Sequence, residues 1–385
     1  MNWFIIIGVM GILLPSIGYP ILMGIFSSLK QSFAAKGIDS EIKSDFPLPF
    51  VSFILSAYNE GAVLREKLEN TLSLQYPSEK LDVLVLSDAS SDQTDQIARE
   101  FSDRGIRLLR SESRVGKSSN LTRFVPESRG SILIFSDANS IYHTDAIRRL
   151  VSHFGDPKVG YVVGAQRYSS SRDHAEYDSE NRYWELELKL KKWESNVSSV
   201  VGADGAIFAM RKELFEPLTD SDINDFLGPL KIVDRGYRGV FDPQAVCYED
   251  PVSSMQRNFF RKVRIITRSI QAVGKVPSVL LPWRTGWFAL QVWFHKVLRW
   301  LSPVFIILLL AGASIDIFHG GVLGKLILSV FLAWLALSSL YLIPAFRRLS
   351  LVSSACYALV INAAALVGIF LACAGRNIKT WKPDR

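Results

Sequence analysis

Val51-Ser-Phe-Ile-Leu-Ser-Ala-Tyr-Asn-Glu60, Leu84-Val-Leu-Ser-Asp-Ala-Ser-Ser-Asp92 and Ile132-Leu-Ile-Phe-Ser-Asp-Ala-Asn139 share one pattern: an apolar run that ends in a short polar cluster carrying an acid. Short, continuously apolar runs of this kind read as strands buried on both faces of a parallel sheet. In open α/β sheets, ligands lie beyond the carboxyl ends of such strands. Asp88, Asp137 and Asn139 are therefore expected along one edge, around a nucleotide-type ligand. A helix is expected over 92–101, where Ser90, Ser91 or Asp92 can cap it, and another over 143–151. This βα alternation extends from Phe46-Pro-Leu-Pro49 to about Lys275, and no internal repeat interrupts it.

Composition sets the surroundings of that domain. With 385 residues, 49% of them hydrophobic, and a mean hydropathy of +0.18, the chain holds enough material for one large polar-surfaced domain and several membrane segments. The formal charge of +7 suits anionic partners such as nucleotide diphosphates and phospholipid headgroups. No nucleic-acid-binding motif accompanies it. Cys247, Cys356 and Cys373 have no CxxC spacing and no histidine neighbours, so neither a zinc site nor a disulfide framework is supported. The five histidines, His143, His153, His174, His295 and His319, are scattered, and none is assigned to catalysis. His295 is expected at a membrane interface.

The apolar material sits at the two ends. Residues 3–26 carry no charge and exceed the roughly twenty residues that cross a ~30 Å hydrocarbon core. The chain opens without a basic cluster, and Lys30 and Lys36 follow the run, which reads as an anchor with the next domain on the cytoplasmic side. Further spans are expected at 301–317, 326–346 and 351–374. Arg347, Arg348 and the basic tail all favour the cytoplasm, which three simple crossings do not allow, so one segment, first of all the last, is expected to be re-entrant or to lie in the interface. The organisation is then a transmembrane helix (1–27), a linker (28–47), an α/β domain (48–275), an interfacial amphipathic region (276–300), transmembrane helices (301–375) and a tail (376–385).

Taken in order, the motifs resemble those of membrane-bound family 2 glycosyltransferases with a GT-A fold, the group that includes cellulose, chitin, hyaluronan and poly-N-acetylglucosamine synthases. The resemblance covers roughly residues 49–268 by motif. It implies an α/β GT-A domain, Rossmann-like and nucleotide-sugar-binding, joined to transmembrane and interfacial helices. Ala57, Tyr58 and Glu60 would line the base and ribose, and Asp88 would accept a hydrogen bond from the uracil ring N–H. A strand-end turn and a helix cap are the plainer readings of these two clusters. Lys117, in Arg114-Val-Gly-Lys-Ser118, would touch the nucleotide. The segment is no Walker A loop, because Ser111 stands where its first glycine belongs. Asp137-Ala-Asn139 takes the place of the family's Asp-x-Asp and implies Mg²⁺ or Mn²⁺, with Asp137 and Asn139 as metal ligands. Asn139 brings an oxygen but no charge, which weakens the site. Asp137 serving the ribose is the alternative.

Asp204, within Val201-Gly-Ala-Asp-Gly205, resembles the segment facing the diphosphate or the acceptor sugar; a simple Asp-Gly turn is the competing reading. In Asp222-Ile-Asn-Asp225 the resemblance puts the catalytic base on Asp225, with Asp222 as the fallback. The family's Gln-x-x-Arg-Trp is absent. Gln256-Arg-Asn-Phe-Phe-Arg-Lys-Val-Arg264 stands there instead, a basic amphipathic helix with Arg257, Arg261, Arg264 and Arg268 on one face. Arg261 and Arg264 are candidates for the diphosphate or for lipid headgroups. Trp293, Trp300 and Trp381 are candidates to replace the missing tryptophan, and residues 180–192 are expected as a helix beside the acceptor cleft.

The function this implies is inverting transfer from a nucleotide-sugar, UDP-linked by the family's example, to a hydroxyl of a lipid-linked or growing polysaccharide acceptor. The setting would be surface or exopolysaccharide synthesis at a bacterial inner membrane, with the catalytic domain cytoplasmic. Subunits of a polysaccharide synthase or export system are candidate partners. Two alternatives stay open: a polyprenyl-phosphate glycosyltransferase, and a catalytically silent membrane subunit of a polysaccharide synthase.

Overall fold

A computed structural model describes residues 2–33, 47–168, 175–250 and 255–376. Trp381, His174, the tail from 377 and most of the expected linker lie outside the described residues. The three apolar runs form β1 (Val51–Ala57), β2 (Leu81–Ser87) and β4 (Ile132–Asp137), with β3 (Ile106–Arg110) between the last two in sequence. All seven residues of β1 are buried, because both faces of the sheet are covered. One core lies on one face, around Ile54, Leu84, Phe135 and Phe208. The other packs Phe53, Leu55, Val85 and Ile134. This double burial is what writes an unbroken apolar run into the sequence.

The remaining strands are β5 (Ile141–Tyr142), β6 (Val159–Tyr168), β7 (Phe208–Arg211) and β8 (Arg238–Glu249). They complete one sheet of order β3-β2-β1-β4-β7-β6-β8-β5. β3, β2, β1 and β4 run parallel, and β7 is antiparallel to both β4 and β6. β1, β2 and β4 are in register, Ala57 beside Ser87 and Ser56 beside Asp137, so their polar ends share one edge. Immediately past β1 and β2, Asn59 and Ala89 take left-handed backbone conformations (φ 53° and 56°), which non-glycine residues adopt at a cost. Hydrogen bonds hold the pair in place: Ser91 N donates to Asn59 Oδ1 (2.8 Å), and Asn59 N donates to Ser90 Oγ (3.1 Å). The helices expected at 92–101 and 143–151 are Thr94–Glu100 and Ala146–Ser152. Asp92 receives Thr94 N at 3.0 Å, as a cap does.

Among the described residues, three helices are long and apolar enough to cross a membrane: Trp3–Ser32, Val322–Leu342 and Ser350–Cys373. A fourth span forms if Trp287–Trp300 and Ser302–Phe318, bent by 60°, count as one. The break therefore falls at Leu301, whereas the last segment, where a re-entrant turn was expected, is one unbroken helix of 24 residues. The first helix packs closely on Ser302–Phe318 through glycines. A Cβ on Gly8 would stand 2.7 Å from Leu309 Cβ, and one on Gly312 would stand 2.8 Å from Ile5 N. Small residues allow such backbone approach between apolar helices.

Candidate active site

The carboxyl edge of the sheet opens into a cavity of about 1030 Å³. Its lining includes Asp88, Lys117, Asp137, Asn139, Asp204 and Asp225, with Arg261 and Arg264 from the basic helix Met255–Lys275. Residues far apart along the chain thus face one space. Ser56 and Glu60 line it at the end of β1.

The centre of the arrangement is Gly205. A Cβ there would lie 3.0 Å from Asp225 Oδ2, 3.5 Å from Asp137 Oδ2 and 3.6 Å from Lys117 Nζ. An added Cβ would press on Asp225 Oδ2 and stand in ordinary contact with the other two groups. Asp137 ends β4, and its Oδ1 receives Lys117 Nζ at 2.6 Å from the first turn of helix Lys117–Phe124. Burial works against that ammonium, but Asp137 outweighs it and keeps the pKa of Lys117 above the usual lysine range. Gly205→Ala is expected to leave thermal stability near wild type, because a flexible carboxylate can retreat a few tenths of an ångström. Turnover should fall about tenfold as Asp225 moves, a split read from melting temperature against steady-state kcat.

Asp225 lies in the first turn of helix Asn224–Asp234, and its Oδ1 is buried without a hydrogen-bond partner. Desolvation pushes its pKa up to about 6, with Asp204 and Asp137 adding to the shift and Lys117 opposing it. A carboxylate with an unused lone pair and a raised affinity for protons is equipped to accept one. Asp222 is arranged differently. Lys275 Nζ reaches its Oδ1 at 2.5 Å, and Thr219 donates to its Oδ2 from N (2.8 Å) and Oγ1 (2.9 Å). Burial opposes them, but these donors hold its carboxyl below the usual range. Both aspartates line the cavity, but Asp222 is held by the loop's donors, whereas Asp225 keeps one oxygen without a hydrogen bond.

Asp88 has a second occupation that its sequence context does not announce. Its Oδ1 receives Val115 N (2.8 Å), Gly116 N (3.1 Å) and Asn120 Nδ2 (3.1 Å), and its Oδ2 receives Gly116 N (3.0 Å). The aspartate thereby ties the Arg114–Lys117 segment to the end of β2. Tyr58 lies beside that segment, with the Arg114 guanidinium 3.8 Å from its ring centroid. Asp204 Oδ2 sits 3.6 Å from Lys191 Nζ, and its Oδ1 receives Ala206 N at 3.2 Å.

Three residues at the site were not singled out from the sequence. Glu249, the last residue of β8, is buried in the cavity wall, where Gln166 Nε2 (2.6 Å) and Ser140 Oγ donate to it. Burial and the nearby Asp137 raise its pKa to about 7. Lys67 is fully buried beneath the Asp137–Asn139 turn, donating to Ser140 O, with its ammonium 4.1 Å from the Tyr142 ring centroid. Burial lowers its pKa to about 7. Trp184 lines the cavity from helix Ala175–Val197, its Nε1 donating to Gln166 O at 2.6 Å. The expected helix over 180–192 thus does border the cavity.

His295 departs from expectation. It is 1% exposed, with Nδ1 2.7 Å from Glu194 Oε1 and Nε2 2.8 Å from Glu187 Oε2. Two acids about two turns apart on helix Ala175–Val197 draw this imidazole inward.

Asp137, Asp204, Asp225 and Glu249 concentrate negative charge at one end of the cavity, and Asp225 Oδ1 is unsatisfied. Oxygen donors of this kind fit a hard divalent cation. Among the described residues no three acids, histidines or cysteines are placed to hold an ion by themselves. Asp137 and Asn139 would therefore share such an ion with substrate phosphates.

A sheet of this order, with acids at its parallel edge, has the GT-A fold of solved glycosyltransferases. The family model for glycosyl transferase family 2 matches residues 52–219, within the α/β domain. The chain is 29% identical to a probable glycosyltransferase, YdaM, of Bacillus subtilis over 217 residues, 52% of this chain and 51% of the relative. It is 26% identical to the poly-beta-1,6-N-acetyl-D-glucosamine synthase of Staphylococcus aureus over 205 residues, 51% and 49% of the two. The chain spans about half the length of the curated relatives it matches. Among solved structures, the mannosyltransferase PcManGT from Pyrobaculum calidifontis, in complex with GDP-Man and Mn²⁺, superposes with a TM-score of 0.70 at 20% identity, covering 97% of this chain and 100% of that one. The shared fold includes the apolar helices.

Proposed function

We propose that this chain is an inverting glycosyltransferase, transferring a sugar from a nucleotide-sugar to a hydroxyl of a lipid-linked or growing polysaccharide acceptor at a membrane surface. The observation that carries it is the meeting of Asp225, Asp137 and Lys117 around Gly205. The acceptor oxygen attacks the anomeric carbon as the bond from that carbon to the diphosphate oxygen breaks. The hydroxyl proton passes to Asp225, and the nucleoside diphosphate leaves with the bonding electrons. Lys117, together with Arg261 and Arg264 on the cavity wall, offsets the charge that develops on it.

A divalent cation bound at Asp137 and Asn139 would supply further positive charge at the diphosphate. The Mn²⁺ in the mannosyltransferase complex supports this, and the polysaccharide synthase relative supports a glycan acceptor. Apolar helices on both sides of the domain support placement in a membrane, with the catalytic domain on the cytoplasmic face.

The test uses the full chain in detergent with a panel of UDP- and GDP-sugars, each with Mg²⁺, Mn²⁺ or EDTA. One donor should raise the melting temperature by several degrees in the presence of metal and release its nucleoside diphosphate. Binding without any turnover across acceptor panels would instead support the silent-subunit reading, and neither binding nor release would refute both.

A further inference from the structure

The cavity does not end at the carboxylates. It continues past Trp184, Glu187 and Lys191 to Lys296 and Trp300. Trp300 is the last residue before Leu301, where the bent helix pair breaks. Its ring meets the buried Phe226 edge-on, with centroids 6.0 Å apart and planes at 73°. Phe226 follows Asp225 directly, so one covalent step and one ring contact fix the indole relative to the proposed base.

An interfacial tryptophan normally turns its ring toward lipid headgroups. Trp283 and Trp287, on the same stretch of chain, are 82% and 46% exposed and do not line the cavity. Trp300 is only half-buried, yet it faces the cavity. Trp293 is used elsewhere, donating through Nε1 to Leu280 O at 3.0 Å, and does not line the cavity. A pyranose has a face of C–H bonds and a rim of hydroxyls, and it lies naturally on an indole face bordered by polar groups. Lys296 and Glu187 supply that border here.

We propose that Trp300 is the platform for the acceptor sugar in this chain, and that the acceptor is a lipid-linked sugar entering the cavity from the bilayer at the Leu301 break. The proposal rests on the glycosyl-transfer reading above. The platform comes from the membrane-associated helix pair and replaces the tryptophan of the absent Gln-x-x-Arg-Trp. A sugar on Trp300 presents its hydroxyl toward Asp225, and its lipid leaves along the break between Trp300 and Ser302. A soluble glycan gains nothing from that exit.

The test takes the full chain in nanodiscs with the donor that scores in the nucleotide-release panel. Octyl and dodecyl β-D-glycosides are compared with the corresponding methyl glycosides as acceptors, for wild type, Trp300→Ala and Trp300→Phe. Acceptor KM should rise about tenfold in Trp300→Ala and recover most of the way in Trp300→Phe. Acceptor-independent hydrolysis of the donor and the donor-induced melting shift should stay at wild-type values in both. Alkyl glycosides should outperform methyl glycosides in the wild type. Unchanged acceptor KM in Trp300→Ala overturns the platform. Equal use of methyl and alkyl glycosides, or use of neither, overturns the lipid-linked acceptor. If even the wild type hydrolyses no donor, the transferase reading fails first, and the two failures are told apart.

Discussion

Asp225→Asn is expected to lower kcat by about 10²- to 10⁴-fold while donor binding, read by thermal shift, stays intact. The amide keeps the shape of the side chain and removes its ability to take a proton. The wild-type rate should carry an acidic limb for the same reason. The carboxyl must be deprotonated to act, and its pKa is pushed up to about 6. Activity should therefore rise with pH through about 6 and level off above it, and a pH–kcat profile reads the midpoint directly. A phosphate acceptor has no proton to give up, so survival of activity in Asp225→Asn would turn the assignment toward a polyprenyl-phosphate acceptor.

Lys117→Met should cost about 10²- to 10³-fold in kcat, comparable to removing one preorganised donor from a developing anion. A second effect distinguishes it from simple damage. Lys117 lowers the pKa of Asp225. Without that ammonium, the acidic limb should move to higher pH, which the same profile shows. Asp137, left without its 2.6 Å partner, should hold a divalent cation more readily, so the metal concentration giving half-maximal activity should fall.

The part of this architecture legible in the sequence is the part where physics leaves a periodic or continuous trace. β1, β2 and β4 are buried on both faces and must be apolar throughout, so they and the acids at their ends stand out. The basic helix Met255–Lys275 is visible because one face meets the cavity and the other the core. Glu249 leaves no such trace. β8 alternates buried and half-buried residues, and an acid at its end resembles an ordinary strand terminus. Lys67 sits on an amphipathic helix, where a lysine ordinarily points to water; only the Ser140 carbonyl and the Tyr142 ring, distant in sequence, draw it inside. Asp88 was legible as an acid at the end of β2, but its grip on Val115 and Gly116 depends on a loop returning across 27 residues. His295 was misjudged for a related reason, since its two acid partners lie about a hundred residues earlier.

That last cluster extends further than the histidine. Glu194 Oε1 also receives the Tyr19 hydroxyl at 2.5 Å, from the first apolar helix, and Glu194 Oε2 receives Val201 N at 3.2 Å. Val201 opens the Val201–Gly205 segment, whose Gly205 stands beside Asp225, Asp137 and Lys117. The leading helix is thus a structural keystone as much as a tether: cutting the chain after Phe33 would strip Glu194 of its phenol and loosen the footing of the catalytic turn, so shearing off the anchor does not liberate an intact soluble catalyst.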